Sequence, residues 1–256
     1  MTNSFDSYKS KPVNVRFDEG RLWRGHIGVV LLAMEQTVDM DVLTLVPKGI
    51  GVHFGRVKMP NAVTVKNLVE AGEDLPNASS LIVPEMKLDV IGYGCTSGTF
   101  TIGGDYAKSQ LLKRGNVDKA TTMFTGVVDA INALGAKKIA VATPYLDELN
   151  QVEGRYLSNL GFELTNLQGM NLTDDTDIVR VSTDFIKEFA HSVNTPDADL
   201  VFISCGALRS VDVIEELEAE LGKPVVTSNQ AFTWSLLRTG GFMDQFPGYG
   251  KLFKEK

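Results

Sequence analysis

Cysteine and histidine are scarce in this chain of 256 residues, with two of the first and three of the second. Two cysteines cannot build a disulfide-stapled scaffold. They also make a poor zinc site, because His26, His53 and His191 show no ligand spacing relative to Cys95 or Cys205. No long basic block occurs and the formal net charge is −7, so neither nucleic acid nor an anionic membrane is an expected partner. The start, "MTNSFDSYKSKPVNVRFDEG", lacks an apolar signal core, and the longest apolar run, around Ile27 to Met34, is too short to span a bilayer. The expected compartment is therefore the cytoplasm, where both thiols stay reduced. What is present is an ordinary core-forming composition, 43% hydrophobic and 22% charged, in a length that fits one large domain or two small ones.

The two cysteines occupy look-alike places. "DVIGYGCTSG" (89 to 98) and "DLVFISCGAL" (199 to 208) each end a strand-forming run on a thiol, and the thiols lie 110 positions apart. "HIGVVLLAMEQT" from His26 and "KIAVATPYLDEL" from Lys138 repeat in the same way, with Ile27 and Ile139 112 apart. "TTMFTGVVDAINALG" and "TSNQAFTWSLLRTGG" open helices at about Thr121 and Thr227, 106 apart. Three landmarks at nearly constant offset point to duplication, with a period too long for a solenoid. The expectation is an N-terminal arm over 1–24, a first domain over 25–118 and a second of similar fold over 119–256, with a C-terminal helix able to pack back on the first.

Apolar β-rich runs alternate with helical spacing in both halves. Phe124, Val127, Val128, Ile131 and Leu134 mark one helix, Phe185, Ile186, Phe189 and Val193 another. Val213, Ile214, Leu217 and Leu221 mark a third, ended by Gly222 and Pro224. Strands apolar on both faces, alternating with helices, predict an α/β fold with parallel sheets. Ligands of such sheets lie beyond the carboxyl ends of the strands, where both cysteines fall. If the halves face each other, the thiols reach one cleft from opposite sides.

Each candidate has a plain structural alternative. Cys95-Thr96-Ser97-Gly98 ends a strand before a helix, where backbone N–H groups would lower the thiol pKa and hold a carboxylate. A lone cysteine there is as well explained as a small core residue; the second copy at Cys205-Gly206-Ala207 favours function. A disulfide needs Cα atoms within about 7 Å. The glycines of "GYGCTSGTFTIGGD" fit neither the dinucleotide fingerprint nor the P-loop, and serve tight turns or close backbone approach. Tyr145 in "ATPYLDE" either bonds a ligand or closes the core. Thr227, Ser228 and Asn229 in "VVTSNQ" either cap a helix or touch a ligand.

Together "DVIGYGCTSG", "KKIAVATPY", "DADLVFISCGALRS" and "GKPVVTSNQA" resemble the aspartate/glutamate racemase superfamily, in its branch of maleate cis-trans isomerases, arylmalonate decarboxylases and ectoine-utilisation isomerase-like proteins. The resemblance covers about residues 25 to 240. It implies two Rossmann-like domains related by a pseudo-twofold axis, a cleft between them, a homodimer or larger assembly, and cofactor-independent, metal-free chemistry on a small carboxylate. It further implies that racemases and maleate isomerases keep both cysteines, whereas the decarboxylases lack the one matching Cys95. Cys95 and Cys205 would be catalytic, as acid and base of a racemase or epimerase. In a maleate-type isomerase Cys95 would instead attack the double bond and Cys205 would supply a proton. A non-catalytic binder or thiol sensor on the same scaffold is the third possibility. Thr96, Ser97, Gly206, Ala207, Tyr145 and Asn229 would bind substrate. Glu35 and Asp175 replace two asparagines of the maleate isomerases, and two carboxylates would repel a dianion and suit an ammonium group. The ectoine-utilisation proteins resemble this chain at both places, which implies an ectoine- or diaminobutyrate-derived substrate.

Overall fold

The computed structural model describes residues 9–256. Two clusters of strands, their central members apolar and buried on both faces, form two four-stranded parallel sheets. The first half runs β1 (Gly25–Leu32), α1 (Val38–Leu45), β2 (Ile50–Val57), α2 (Val65–Glu73), α3 (Leu75–Ser80), β3 (Val90–Tyr93), α4 (Thr96–Ile102), α5 (Gly104–Leu112), β4 (Ala120–Thr122) and α6 (Met123–Ala133). The second runs β5 (Lys138–Thr143), α7 (Asp147–Asn159), β6 (Glu163–Gly169), α8 (Asp175–Ile178), α9 (Thr183–Val193) and β7 (Leu200–Ile203), then a 3-10 turn at Val211–Val213. It closes with α10 (Ile214–Leu221), β8 (Val225–Thr227), α11 (Ser228–Gly240) and α12 (Gly250–Glu255).

The strand orders are β2-β1-β3-β4 and β6-β5-β7-β8, the same order written twice. This is the duplication expected from the cysteine offset. In such an order the chain reverses its winding between the two central strands, and a crevice opens there at the carboxyl ends. Cys95 lies two residues past the end of β3 and Cys205 two past the end of β7. Glu35 follows β1 and Tyr145 follows β5. All four side chains thus leave central strands at the end where a ligand belongs.

The halves are joined by two helices. After β4 the chain enters α6 and after β8 it enters α11, and these helices pack on each other. Thr122 and Thr227 cap them by accepting from the N–H groups of Thr125 and Gln230, and Gln230 completes a capping box. α11 crosses to the first half and lies on β3 and β4. Gly92 makes room for it: a Cβ there would stand 2.7 Å from Phe232 and Leu236. Gly92 and Gly94, expected to serve a turn or a ligand, serve this helix-to-sheet approach.

The structure differs from the expected division in one respect. β4 pairs with β3, so the first sheet extends to Thr122, past the boundary at 118/119. The helix that opens at Thr227, α11, packs on β3 and β4 of the first sheet, and the terminal α12, in a tail read as turn-rich, packs on α10, α11 and β8. The place of β4 is not visible in a linear pattern, because it depends on which sheet a short segment joins. Of the expected arm, residues 1–8 lie outside the described residues. Residues 9–22 form no strand or helix apart from a turn, and they are exposed, with Phe17 at 91%. Arg24 then anchors the chain by two hydrogen bonds to Asp244, at 2.9 and 2.6 Å. Among the described residues no helix is long and apolar enough to cross a membrane.

The α6–α11 contact has a tight point. A Cβ at Gly126 would meet the Ala231 carbonyl oxygen and Ser235 Cβ, both at 2.8 Å. Backbone cannot yield as a side-chain tip can, so Gly126→Ala is expected to destabilise the chain by about 1–3 kcal/mol. Urea unfolding checks this; an unchanged midpoint would mean that the helices are not held this closely.

Candidate active site

Both cysteines line one pocket, together with Leu32, Glu35, Val63, Thr96, Ser97, Tyr145, Asp175, Gly206 and Ala207. Residues more than a hundred positions apart meet because the two switch points face each other. Both thiols are free, 7% and 6% exposed. The enclosed space is about 10 Å³, room for about one water. It is closed on one side by the segment after β2. There Val63 N–H donates to the Thr173 carbonyl (2.8 Å), Asp175 N–H to the Asn61 carbonyl (3.1 Å), and Asn61 Nδ2 to Thr176 Oγ1 (3.0 Å). Roomier surface hollows lie beside Lys58, Met59 and Glu70 and beside Phe185 and Phe189, and no thiol reaches either.

Each sulfur receives one main-chain N–H and one hydroxyl. Cys95 is the N-cap of α4, and its Sγ accepts from Gly98 N–H at 3.2 Å and lies 3.7 Å from Ser97 Oγ. Gly98 makes room here, since a Cβ would run into the Tyr93 hydroxyl first and would also sit 3.0 Å from that sulfur. Cys205 is served by the Ala207 N–H and the Tyr145 hydroxyl. The symmetry is chemical, not conformational. Cys95 is extended (φ −143°), whereas Cys205 has φ +98°, a region L-residues rarely adopt.

The thiol pKa values run against the expectation of a lowered value. Burial pushes Cys95 up to about 12, and the Gly98 N–H and Ser97 hydroxyl recover only part of this. Cys205 is pushed up by burial and by Asp175 and Glu35 against the pull of Tyr145 and Ala207. Water stabilises a thiolate better than two donors do, and two nearby carboxylates oppose it. Both thiols therefore rest as neutral proton donors.

The carboxylates are just as far from their ordinary state. Glu35 is 7% exposed; its Oε1 accepts from the N–H groups of Gln36 (2.9 Å), Thr37 (2.8 Å) and Val38 (3.2 Å), yet burial still raises its pKa. Asp175, at the start of α8, is raised to about 7 by burial and by Glu35, and its Oδ2 is buried without a partner. No lysine, arginine or histidine lines the pocket. Among the described residues no group of three His, Cys, Asp or Glu is placed to hold a metal ion.

Thr227, Ser228 and Asn229, the helix-opening trio singled out in the sequence, are not on the pocket wall; the other expected site residues are. Of the three, Asn229 is the one expected to bind substrate. Its Nδ2 donates to the Gly206 carbonyl (2.8 Å) and to Asp41 Oδ2 (2.7 Å), behind the lining. Thr96 lines the pocket, but its hydroxyl points away, to Ser228 Oγ and Met123 Sδ, both at 2.9 Å. The N–H groups of Thr96 and Ser97 open α4 and have no intrahelical acceptor, which leaves them free for an anion. Val63 and Leu32 were not foreseen, since an apolar residue after a strand carries no local mark of a pocket wall. Tyr93 was also missed; it is fully buried, and its hydroxyl has no hydrogen-bond partner.

The electrostatics predict a titration. In Cys205→Ser protein, thiolate ultraviolet absorbance should appear only near pH 12, and Glu35→Gln or Asp175→Asn should move that midpoint down, because each removes an anion that opposes the thiolate. A midpoint near the ordinary cysteine value of about 8.5 would refute the enclosed, carboxylate-flanked site.

Comparisons with known proteins agree with this geometry. The arylmalonate decarboxylase family pattern matches residues 78–253. Arylmalonate decarboxylase of Bordetella bronchiseptica is 36% identical over 138 residues, which are 53% of this chain and 58% of that protein. A maleate isomerase of Pseudomonas putida is 23% identical over 241 residues, 88% of this chain and 96% of that one. Among solved structures, a cysteine-to-serine variant of Nocardia farcinica maleate cis-trans isomerase, with a covalently bound succinylcysteine intermediate, superposes with a TM-score of 0.84 at 22% identity. It covers 91% of this chain and 99% of that one. A liganded arylmalonate decarboxylase variant superposes at 0.80 with 25% identity, over 91% of this chain and 100% of that one. The two-domain α/β architecture is that of these enzymes, and the chain belongs to the arylmalonate decarboxylase family.

Proposed function

We propose that this chain is a cofactor-independent racemase or epimerase acting at the carbon beside a carboxylate. The observation that carries the proposal is the pair of free thiols on the wall of one enclosed pocket. One thiolate takes the α-proton while the other thiol gives its proton to the opposite face. The carbon ends with inverted configuration, the two sulfurs have exchanged states, and no proton is gained or lost. The N–H groups of Thr96, Ser97, Gly206 and Ala207 bind the substrate carboxylate and stabilise the charge that spreads onto it.

Glu35 and Asp175 supply the substrate preference. Two buried carboxylates without a counter-cation favour a substrate that carries an ammonium group, and the substrate we propose is an ectoine- or diaminobutyrate-derived amino acid. Its positive charge would also offset the part of the thiol pKa rise that Asp175 and Glu35 add to burial, easing the loss to water of the one proton that leaves the base as thiolate. Cis-trans isomerisation through an adduct on Cys95 is the second reading, favoured by the succinylcysteine in the Nocardia relative. It ranks lower because maleate is a dianion and the pocket offers it no cationic side chain.

Incubation with either enantiomer of 2,4-diaminobutyrate in deuterated water should give deuterium at the α-carbon and both enantiomers as product. Cys95→Ser and Cys205→Ser should each lower turnover by about 10²–10⁴-fold. Maleate turned over with substrate mass retained on Cys95, and no α-exchange, would overturn the racemase proposal.

A further inference from the structure

The duplication fails at one place next to the site. Thr122 and Thr227 cap equivalent helices, so Met123 and Phe124 of α6 stand where α11 has Ser228 and Asn229. The polar pair touches the turn that carries Cys205. Ser228 Oγ accepts from the Cys205 N–H at 3.0 Å, and Asn229 Nδ2 holds the Gly206 carbonyl at 2.8 Å while also bonding Asp41. Thr37, from the first half, donates to the Ala207 carbonyl at 3.0 Å. Three successive residues are each fixed by a side chain, two from α11 and one from the first half. The other thiol is held differently: Thr99 donates to the Cys95 carbonyl, and Thr96 donates to Met123 Sδ and Ser228 Oγ.

The clamp coincides with strain. Cys205 is held at φ +98°, where a side chain crowds its own backbone, while Cys95 sits in ordinary extended backbone. A strained conformation persists only where its surroundings over-determine it. Gly206 is part of the same arrangement, because a Cβ there would meet Val38 Cγ2 at 2.7 Å. We propose that Ser228 and Asn229 are positioning residues that hold the Cys205–Ala207 turn, with Cys205 at its positive φ, and so aim the Cys205 thiol into the pocket. This rests on Cys205 being a reacting thiol, but its test reads thiol placement without any substrate.

Full-length wild type, Ser228→Ala, Asn229→Ser and Ser228→Thr are treated with iodoacetamide, and alkylation is followed by mass spectrometry at each cysteine. With the turn released, Cys205 should react about five-fold faster or more in Ser228→Ala and Asn229→Ser, and Cys95 should stay within about two-fold of wild type in Asn229→Ser, which leaves the Thr96–Ser228 bond in place. Ser228→Thr keeps the oxygen and should restore the wild-type rate at Cys205. Acceleration of both cysteines together in Asn229→Ser would mean general loosening and overturn the proposal, as would an unchanged Cys205 in folded variants. Failure of both Ser228→Ala and Asn229→Ser to fold would also overturn it, since a positioning role leaves the fold intact. Because no turnover enters the measurement, a negative result here is separate from a failure to find racemisation.

Discussion

Two thiols and two carboxylates share one closed volume with no cationic side chain on its wall, and that uncompensated electrostatic load shapes the rest of the site. Burial alone makes each group resist its charged form. Their mutual proximity adds to this, with Glu35 raising Asp175 and both raising the cysteines. The chain meets part of the load with main-chain donors. Three N–H groups converge on one oxygen of Glu35, and each sulfur takes one N–H and one hydroxyl. The remainder, including the partnerless Asp175 Oδ2, is left for whatever the pocket receives.

The fold makes that concentration of polar groups possible by bringing two strand-end crevices face to face. Helices α6 and α11 cross between the halves and set the spacing, with Gly126 and Gly92 as the points of closest approach. The same crossing gives each half a hold on the other's site residues. Ser228 joins the Thr96 side chain of one half to the Cys205 main chain of the other. Opening the cleft therefore disturbs both thiols as well as the strap at Asn61–Val63.

Buried titratable groups recur behind the lining. Asp41 is raised to about 7 by burial, and Glu153, which accepts from Ser204 at 2.7 Å, to about 8. A group whose folded-state pKa is raised favours the folded state while it is protonated. That contribution is complete below the unfolded pKa of about 4 and is lost as pH rises through the folded value. For Asp41, Asp175 and Glu153 the loss spans pH 4 to about 8. The stability retained at neutral pH therefore comes from the apolar sheets and the interlocked helices, not from these acids.

Much was written in the sequence alone. Apolar runs bounded by turns gave the strands, helical spacing gave α6, α9 and α10, and a repeat of about 110 residues gave two like halves with a cysteine at the same strand end in each. These are local or periodic properties, which composition and spacing record directly. Tertiary structure decided what depends on the encounter of distant segments. It assigned β4 to the first sheet and laid α11 across it. It turned Asn229 away from the pocket and brought Val63 into the wall. It also reversed the expected thiol pKa, because a strand-end cysteine in isolation sees helpful N–H groups, whereas in the folded chain it sees lost water and two carboxylates from elsewhere in the sequence.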